Sequence, residues 1–387
     1  MKFSLGSEWD ELKKFENLPL DNKKIVFYSE NENSMLIFES LIEELITEYD
    51  VDICYVTSSK NESITMKSKN HVNTFYIGDG IVRTKFFLNL KAEIMIMTMP
   101  DLETYHIKRS KIFPVHYVYM FHSMISTHLG YHKSAFHNFD TILCVGDYQI
   151  QEIRNTEKLY NLRPKNLLKF GYSHLDNLME MHQQEQSKSH LNEKKHIVLM
   201  APSWSSDGVF EIWSEKIIEI LLKNDYKVIF RPHPMSQKHS KKKIEKISKK
   251  FFQNNDFSLE TNIPNFESFL SSDIMITDWS GAALEFAFAF KKPVIFIDVP
   301  KKINNSEFEK ISFTPIEISI REKIGKIIMS KDLDSLPKEI QMLISRRNEF
   351  EHQIAQIRDT MIFNIKESKK HGAEAIIKLL NDKSISQ

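Results

Sequence analysis

Only two cysteines occur in 387 residues, Cys54 and Cys144. Both lie in apolar runs ("VDICYVTS", "TILCVG"), so they read as buried thiols rather than a disulfide framework or a zinc pattern, and a reducing compartment is expected. Glycine is also scarce, with 10 residues, too few for glycine-rich phosphate loops. No Walker sequence occurs, and "GDGIVR" at 78–83 has Arg83 where the dinucleotide fingerprint needs a third glycine. A Gly-x-Ser-x-Gly elbow is missing too, since Ser173 in "GYSHL" lacks the second glycine. Charge of one sign is absent: 52 Lys and Arg balance 52 Asp and Glu, which argues against a dedicated nucleic-acid binder. No run approaches the roughly 20 apolar residues of a membrane span. The charged stretch "MKFSLGSEWDELKKFENLPLDNKK" has no apolar core of a signal peptide. A cytoplasmic protein is expected, with peripheral contact at the inner face of the cell membrane left open.

What is present is alternation. A hydrophobic content of 41% with 27% charged residues is that of a globular protein, and the length predicts two domains. Short apolar runs at 23–29, 51–58, 73–78, 92–98, 115–121 and 141–146 read as strands, with "KNLLKFGY" as a seventh. They are continuously apolar, as strands are when helices cover both faces of a parallel sheet. "NSMLIFESLIEELITEY" carries helical spacing between the first two. From Asn177 the pattern lapses into a polar stretch, then restarts with "HIVLMAPSW", "YKVIFRPH", "FSLE", "IMITD" and "VIFID", separated by helices. The fold predicted is α/β, with two doubly wound domains facing across a cleft. Residues 1–176 form the first domain, 177–195 a linker and 196–345 the second domain. Residues 346–387 form C-terminal helices that pack back on the first domain.

Ligands of open parallel sheets bind where the strands end, which singles out a few residues. Arg231 and His233, in "FRPHP", suit a diphosphate, because a guanidinium forks onto two oxygens and an imidazole adds a donor. The plainer alternative is an arginine in a salt bridge beside a turn. In "SDIMITDWSGAALEFAFAFKKPVIFID" (272–298), Asp278 or Ser280 caps a helix whose free amides attract anions. Glu285 lies just over one turn further and could accept from ribose hydroxyls. Otherwise Asp278 and Ser280 are ordinary caps and Glu285 a solvated charge. His122 ends the strand 115–121 and could serve as a general base. His128 and His132, one helical turn apart, lack the glutamate of a zinc-protease pattern, and no protein metal site is expected. The lysine-rich run 238–250 reads as a solvated helix with one buried face, docking on anionic lipid being the lesser reading.

Three blocks resemble the CDP-glycerol glycerophosphotransferase family, the teichoic-acid primases and polymerases: "APSW" (201–204), "FRPHP" (230–234) and residues 272–298. "MFHS" (120–123) and "GYSHLDNL" (171–178) match more weakly. Phe121 and Ser123 stand where the family has Trp and Gly. Trp279 and Gly281 replace Tyr and Ser, and Ser173-His174 replaces a Pro-Arg pair. The resemblance implies a glycosyltransferase-B-like (GT-B-like) fold of two Rossmann-like domains. It also implies transfer of glycerol phosphate, or a similar polyol phosphate, from a CDP-activated donor to a hydroxyl of a teichoic-acid-like or capsular glycan, a lipid-linked acceptor by the same resemblance. His122 would be the base. Arg231, His233, Ser280 and Gly281 would hold the diphosphate, with Mg²⁺ able to arrive on the donor. Ser203, Trp204, Asp278 and Glu285 would border the nucleotide, and Ser29, Asn31, Asn33 and Asp176 would lie on the acceptor side. Two alternatives remain open at this point: a GT-B glycosyltransferase or sugar-nucleotide epimerase, and a non-catalytic nucleotide-sugar-binding component of a polysaccharide assembly system.

Overall fold

The computed structural model describes residues 6–31, 33–66, 69–186, 195–262 and 266–384. The first seven strands are β1 (Ile25–Ser29), β2 (Ile53–Thr57), β3 (Val72–Tyr76), β4 (Ile94–Met97), β5 (His116–Met120), β6 (Thr141–Cys144) and β7 (Asn166–Lys169). They form one sheet in the order β3-β2-β1-β4-β5-β6-β7, and every pairing is parallel. The second sheet holds β8 (Ile197–Met200), β9 (Lys227–Phe230), β10 (Phe257–Leu259), β11 (Ile274–Thr277), β12 (Val294–Asp298) and β13 (Gly325–Met329). Its order is β10-β9-β8-β11-β12-β13, again all parallel. In both sheets the order reverses beside the first strand, making a crevice at the strands' carboxyl edge.

The strand pattern explains the core. Alternate residues point to opposite faces, so Ile274, Ile276, Ile295 and Ile297 pack into an outer cluster. Met275, Val294 and Phe296 belong to a larger cluster that runs through the first sheet without interruption. The helix Ala282–Phe290 joins them. Apart from Glu285 its sequence, AALEFAFAF, is apolar, and seven of its nine residues are buried. Such a helix needs cover on every side. The helix Ser173–Gln186 of the first half packs against it.

That contact corrects the linker. Residues 177–186 belong to the helix Ser173–Gln186, with Leu178 and Met179 buried on its inner face. Their polar composition is the solvated side of an amphipathic helix. Residues 187–194 lie outside the described residues. The edge strand β13 has no counterpart in the sequence reading, because only Gly325 and Ile328 of its five residues are buried.

The C-terminal helices Arg347–Met361 and Ser368–Ser384 carry the chain back to the first domain. Phe363 N donates to Val145 O at 2.9 Å, and Asn364 Nδ2 donates to Lys169 O at 2.7 Å. Asp176 is the anchor: its carboxylate accepts the Lys366 amide at 2.7 Å and the Ser368 amide at 3.1 Å. It therefore does not act on the acceptor side. Asp176→Ala leaves two amides without their acceptor, at an expected cost of about 1–3 kcal/mol. A denaturant melt should show that loss, with faster proteolytic trimming after Phe363 and unchanged nucleotide affinity. Unchanged stability with lost activity would restore the acceptor-side role.

Candidate active site

The carboxyl edge of the second sheet is built around Asp278, which follows β11. Its carboxylate accepts Ser203 N at 2.7 Å and Val209 N at 3.0 Å, and the residue is 1% exposed. Both oxygens are thus committed to bracing the loop 201–209, and the expected nucleotide contact is replaced by a structural one. A side chain at Gly208 would press a Cβ to 2.9 Å from Asp278 Oδ2, so the loop needs glycine there. Ser203 Oγ is buried on this brace with no hydrogen-bond partner among the described residues. Trp204 is exposed and stacks on His239, with ring centroids 6.1 Å apart and planes 30° from parallel.

β9 ends at Phe230, and the two prolines then turn the chain into the helix Pro234–His239. His233 caps that helix: its Nδ1 accepts the Met235 amide at 3.1 Å. An accepting Nδ1 leaves the proton on Nε2, which makes a neutral donor. Burial, reinforced by Lys302 and opposed by Asp278, lowers the His233 pKa to about 4. Arg231 behaves otherwise. Its Nη1 lies 2.7 Å from Glu260 Oε2, and its guanidinium sits over the rings of Phe266 and Phe269. The plainer reading of the sequence holds here: Arg231 is a salt-bridged side chain, because the end of β10 supplies a carboxylate beside it. Lys302, four residues beyond β12, was missed. Its ammonium lies 5.4 Å from the centre of the Trp204 ring, and burial lowers its pKa while Asp278 opposes this. It makes no ion pair among the described residues.

Ser280 Oγ accepts the Ala282 amide at 3.3 Å, so Ser280 takes up one of the amides at the start of the helix Ala282–Phe290. Next to it, Gly281 touches the other domain: an added Cβ would collide with Ser123 Oγ and meet Ile125. Ser123 follows His122. The His122 ring is solvent-exposed, and its Nδ1 lies 3.2 Å from Thr98 O. A carbonyl only accepts, so Nδ1 carries the proton and Nε2 keeps a free lone pair. The protein mass around the cleft holds its pKa below the ordinary imidazole value, with the Thr98 carbonyl opposing. Tyr172, also missed, places its hydroxyl 2.9 Å from His122 O and 3.1 Å from Glu285 Oε1. Glu285 is the only charged residue of its helix. Burial raises its pKa to about 7 against the Tyr172 hydrogen bond and the Arg231 charge.

On the acceptor side, Ser29 Oγ is fully buried and donates to Glu62 Oε2 at 2.6 Å. Tyr55 at 2.6 Å and Thr57 at 2.5 Å bond the same carboxylate. Ser29 is therefore a core residue, not a contact for acceptor. Asn31 is exposed at the lip, and the Asn33 side chain lies outside the described residues. Glu30, beside them, feels Arg83 and also Lys238 of the other domain.

The segment after His122 is pinned across the domain boundary. Ser126 donates through N at 3.0 Å and Oγ at 3.1 Å to Glu317 Oε1. His128 Nε2 is 3.0 Å from Phe313 O, and its Nδ1 is 3.4 Å from Glu152. His128 lies in a turn and His132 in irregular backbone, so neither is on a helix. Among the described residues no cluster of His, Cys, Asp or Glu is placed to hold a metal, and no helix is long and apolar enough to cross a membrane. Lysines of the helix Lys241–Phe251 pair with Glu211, Glu215 and Glu219, so much of its charge is neutralised within the domain.

Two parallel sheets with an imidazole at one carboxyl edge and anion-compatible groups at the other have the two-domain GT-B-like architecture. The fold is shared with the wall teichoic acid polymerase TagF, in a structure with CDPG. The TM-score is 0.64 at 13% identity, covering 97% of this chain and 94% of that one. UDP-GlcNAc 2-epimerase from Neisseria meningitidis, bound to UDP-GlcNAc, matches with a TM-score of 0.59 at 12% identity, covering 92% and 100%. Residues 13–351 match the model of the CDP-Glycerol:Poly(glycerophosphate) glycerophosphotransferase family, and the chain belongs to that family. A curated relative is the minor teichoic acid biosynthesis protein GgaB of Bacillus subtilis (strain 168), 29% identical over 188 residues. The match covers 44% of this chain and spans about 20% of GgaB.

The pinned segment has a pH signature. Burial raises the Glu317 pKa from 4.5 to about 7, with the neighbouring Glu152 adding to the shift and the Ser126 hydrogen bonds opposing it. The folded state binds this proton more tightly than the unfolded chain. The stability it contributes is full below pH 4.5 and lost as pH rises to about 7. Glu317→Gln should therefore gain thermal stability relative to the parent between pH 5 and pH 8. An unchanged difference across that range would mean Glu317 is ionised throughout.

Proposed function

We propose that the protein transfers glycerol phosphate, or a similar polyol phosphate, from a CDP-activated donor to a hydroxyl of a cell-surface glycan. The acceptor is a lipid-linked, teichoic-acid-like or capsular chain, met at the cytoplasmic face of the membrane. Membership of the glycerophosphotransferase family supports the donor. The observation that carries the mechanism is the His122 ring, exposed in the cleft with its Nδ1 proton held by Thr98 and its Nε2 open.

In this reading Nε2 takes the proton of the acceptor hydroxyl as its oxygen attacks the β-phosphorus. The bond from that phosphorus to the bridging oxygen breaks, and CMP leaves with the electron pair. The protein's part is positioning and charge. Lys302 supplies a positive charge and His233 Nε2–H a neutral donor to the diphosphate. The amides near Ser280 and Gly281 lie at a helix start, where anions are favoured. Ser203 Oγ and Trp204 border the nucleotide. Arg231, held by Glu260, braces the strand end beside the donor. A sugar-nucleotide epimerase or glycosyltransferase is the second reading, favoured by the fold shared with the Neisseria enzyme.

Titration calorimetry with CDP-glycerol and UDP-GlcNAc separates the two. The parent should bind the CDP compound, and Lys302→Ala should weaken that binding about tenfold, about 1.4 kcal/mol. His122→Ala should bind normally and release no CMP. Binding of UDP-GlcNAc alone would overturn the assignment.

A further inference from the structure

Glu285 carries the single charge in a helix that is otherwise buried apolar surface, and its carboxyl reaches across the domain boundary to Tyr172. The hydrogen count at Tyr172 is restrictive. A phenol has one proton, and its oxygen lies within bonding distance of both His122 O and Glu285 Oε1. The His122 carbonyl can only accept, so it takes the phenol proton. The remaining contact pairs two oxygens, and it is a hydrogen bond only if Glu285 brings the proton. An apolar helix wall and the rise of its pKa to about 7 are consistent with a protonated carboxyl.

The chain of bonds therefore runs from Glu285 O–H to Tyr172 Oη, and from Tyr172 O–H to the carbonyl of His122. The same histidine is tied at Nδ1 to Thr98 O. One tie fixes the backbone of His122 and the other its ring plane. Only the backbone tie crosses the domains. Tyr172 is itself held in place, because its amide donates to Ser368 Oγ at 3.1 Å.

We propose that Glu285 and Tyr172 are positioning residues: a neutral Glu285 carboxyl, acting through the Tyr172 hydroxyl, seats the His122 backbone against the second domain. The seam between the domains and the placement of the base then depend on the same bonds, and Glu285 is withdrawn from the ribose contact expected of it. The inference rests on His122 as the base of the proposed reaction. Glutamine at position 285 keeps the donor that the chain of bonds requires, whereas alanine removes it and phenylalanine at 172 removes the link.

Two measurements on Tyr172→Phe, Glu285→Ala and Glu285→Gln test this. The first is the rate at which diethyl pyrocarbonate modifies His122 in the full chain without donor, read by peptide mass spectrometry. Tyr172→Phe and Glu285→Ala should change that rate by about threefold or more, and Glu285→Gln should match the parent, because a lost tie frees the ring's support. The second is steady-state CMP release from CDP-glycerol. Here kcat should fall about tenfold or more in the first two variants with KM for the donor nearly unchanged, and recover in Glu285→Gln. Modification rates equal to the parent in all three would overturn the proposal whatever the activity. So would a raised donor KM with unchanged kcat in Glu285→Ala, the result of a ribose contact. A parent that releases no CMP would overturn the proposed function, while the modification rates still decide the positioning.

Discussion

Everything in the cleft depends on a contact that leaves no room for a side chain: the start of the helix Ala282–Phe290 lies against the segment following His122. Gly281 is not there for its backbone freedom, since its φ of -61° suits any residue. It is there because Ser123 and Ile125 of the other domain occupy the space a Cβ would need. Around that point Ser126 meets Glu317, His128 meets Phe313, and Tyr172 meets Glu285. Each bond joins the first domain to the second. The apolar cluster continues through the same seam, so the two sheets are held at one relative position by packing and by directional bonds together.

The charges follow from that arrangement. A buried cation beside a half-buried carboxylate is neutralised in place, as Arg231 is by Glu260. Such pairs hold structure more readily than they hold ligands. Lys302 has the Trp204 ring nearby and no ion pair among the described residues, which keeps its charge available. His233 is neutral because its Nδ1 caps a helix within a protein wall. The second domain thus offers one cation outside any ion pair among the described residues, one neutral donor and a helix start, while the first offers a neutral imidazole. That distribution favours an anionic donor on one side and an uncharged hydroxyl on the other.

Much of the fold was readable because buried parallel strands are continuous apolar runs, and all seven strands of the first sheet and five of the second were visible that way. β13 was not, since only two of its five residues are buried and it carries a lysine. The helix at 177–186 was hidden by its polar outer face. The site was legible at strand ends and less so in detail. His122 and His233 lie where the pattern put them, yet Asp278, Asp176, Ser29 and Arg231 are each satisfied by partners far along the chain. Sequence position marks the edge of a sheet, but tertiary contacts decide which polar groups there are already spent. Lys302 belonged to no motif, and Tyr172 lay in a weakly matching block without being singled out, because its contacts, His122 and Glu285, are 50 and 113 positions away.

The central claim is that attack falls on phosphorus across a cleft fixed in this way. The most direct test uses CDP-glycerol labelled with ³²P at the β-phosphorus, incubated with the protein and a glycerol-phosphate-bearing acceptor. The account predicts that the label moves into the acceptor while unlabelled CMP is released. Label recovered entirely in free nucleotide or in released glycerol phosphate, with none in the acceptor, would contradict it.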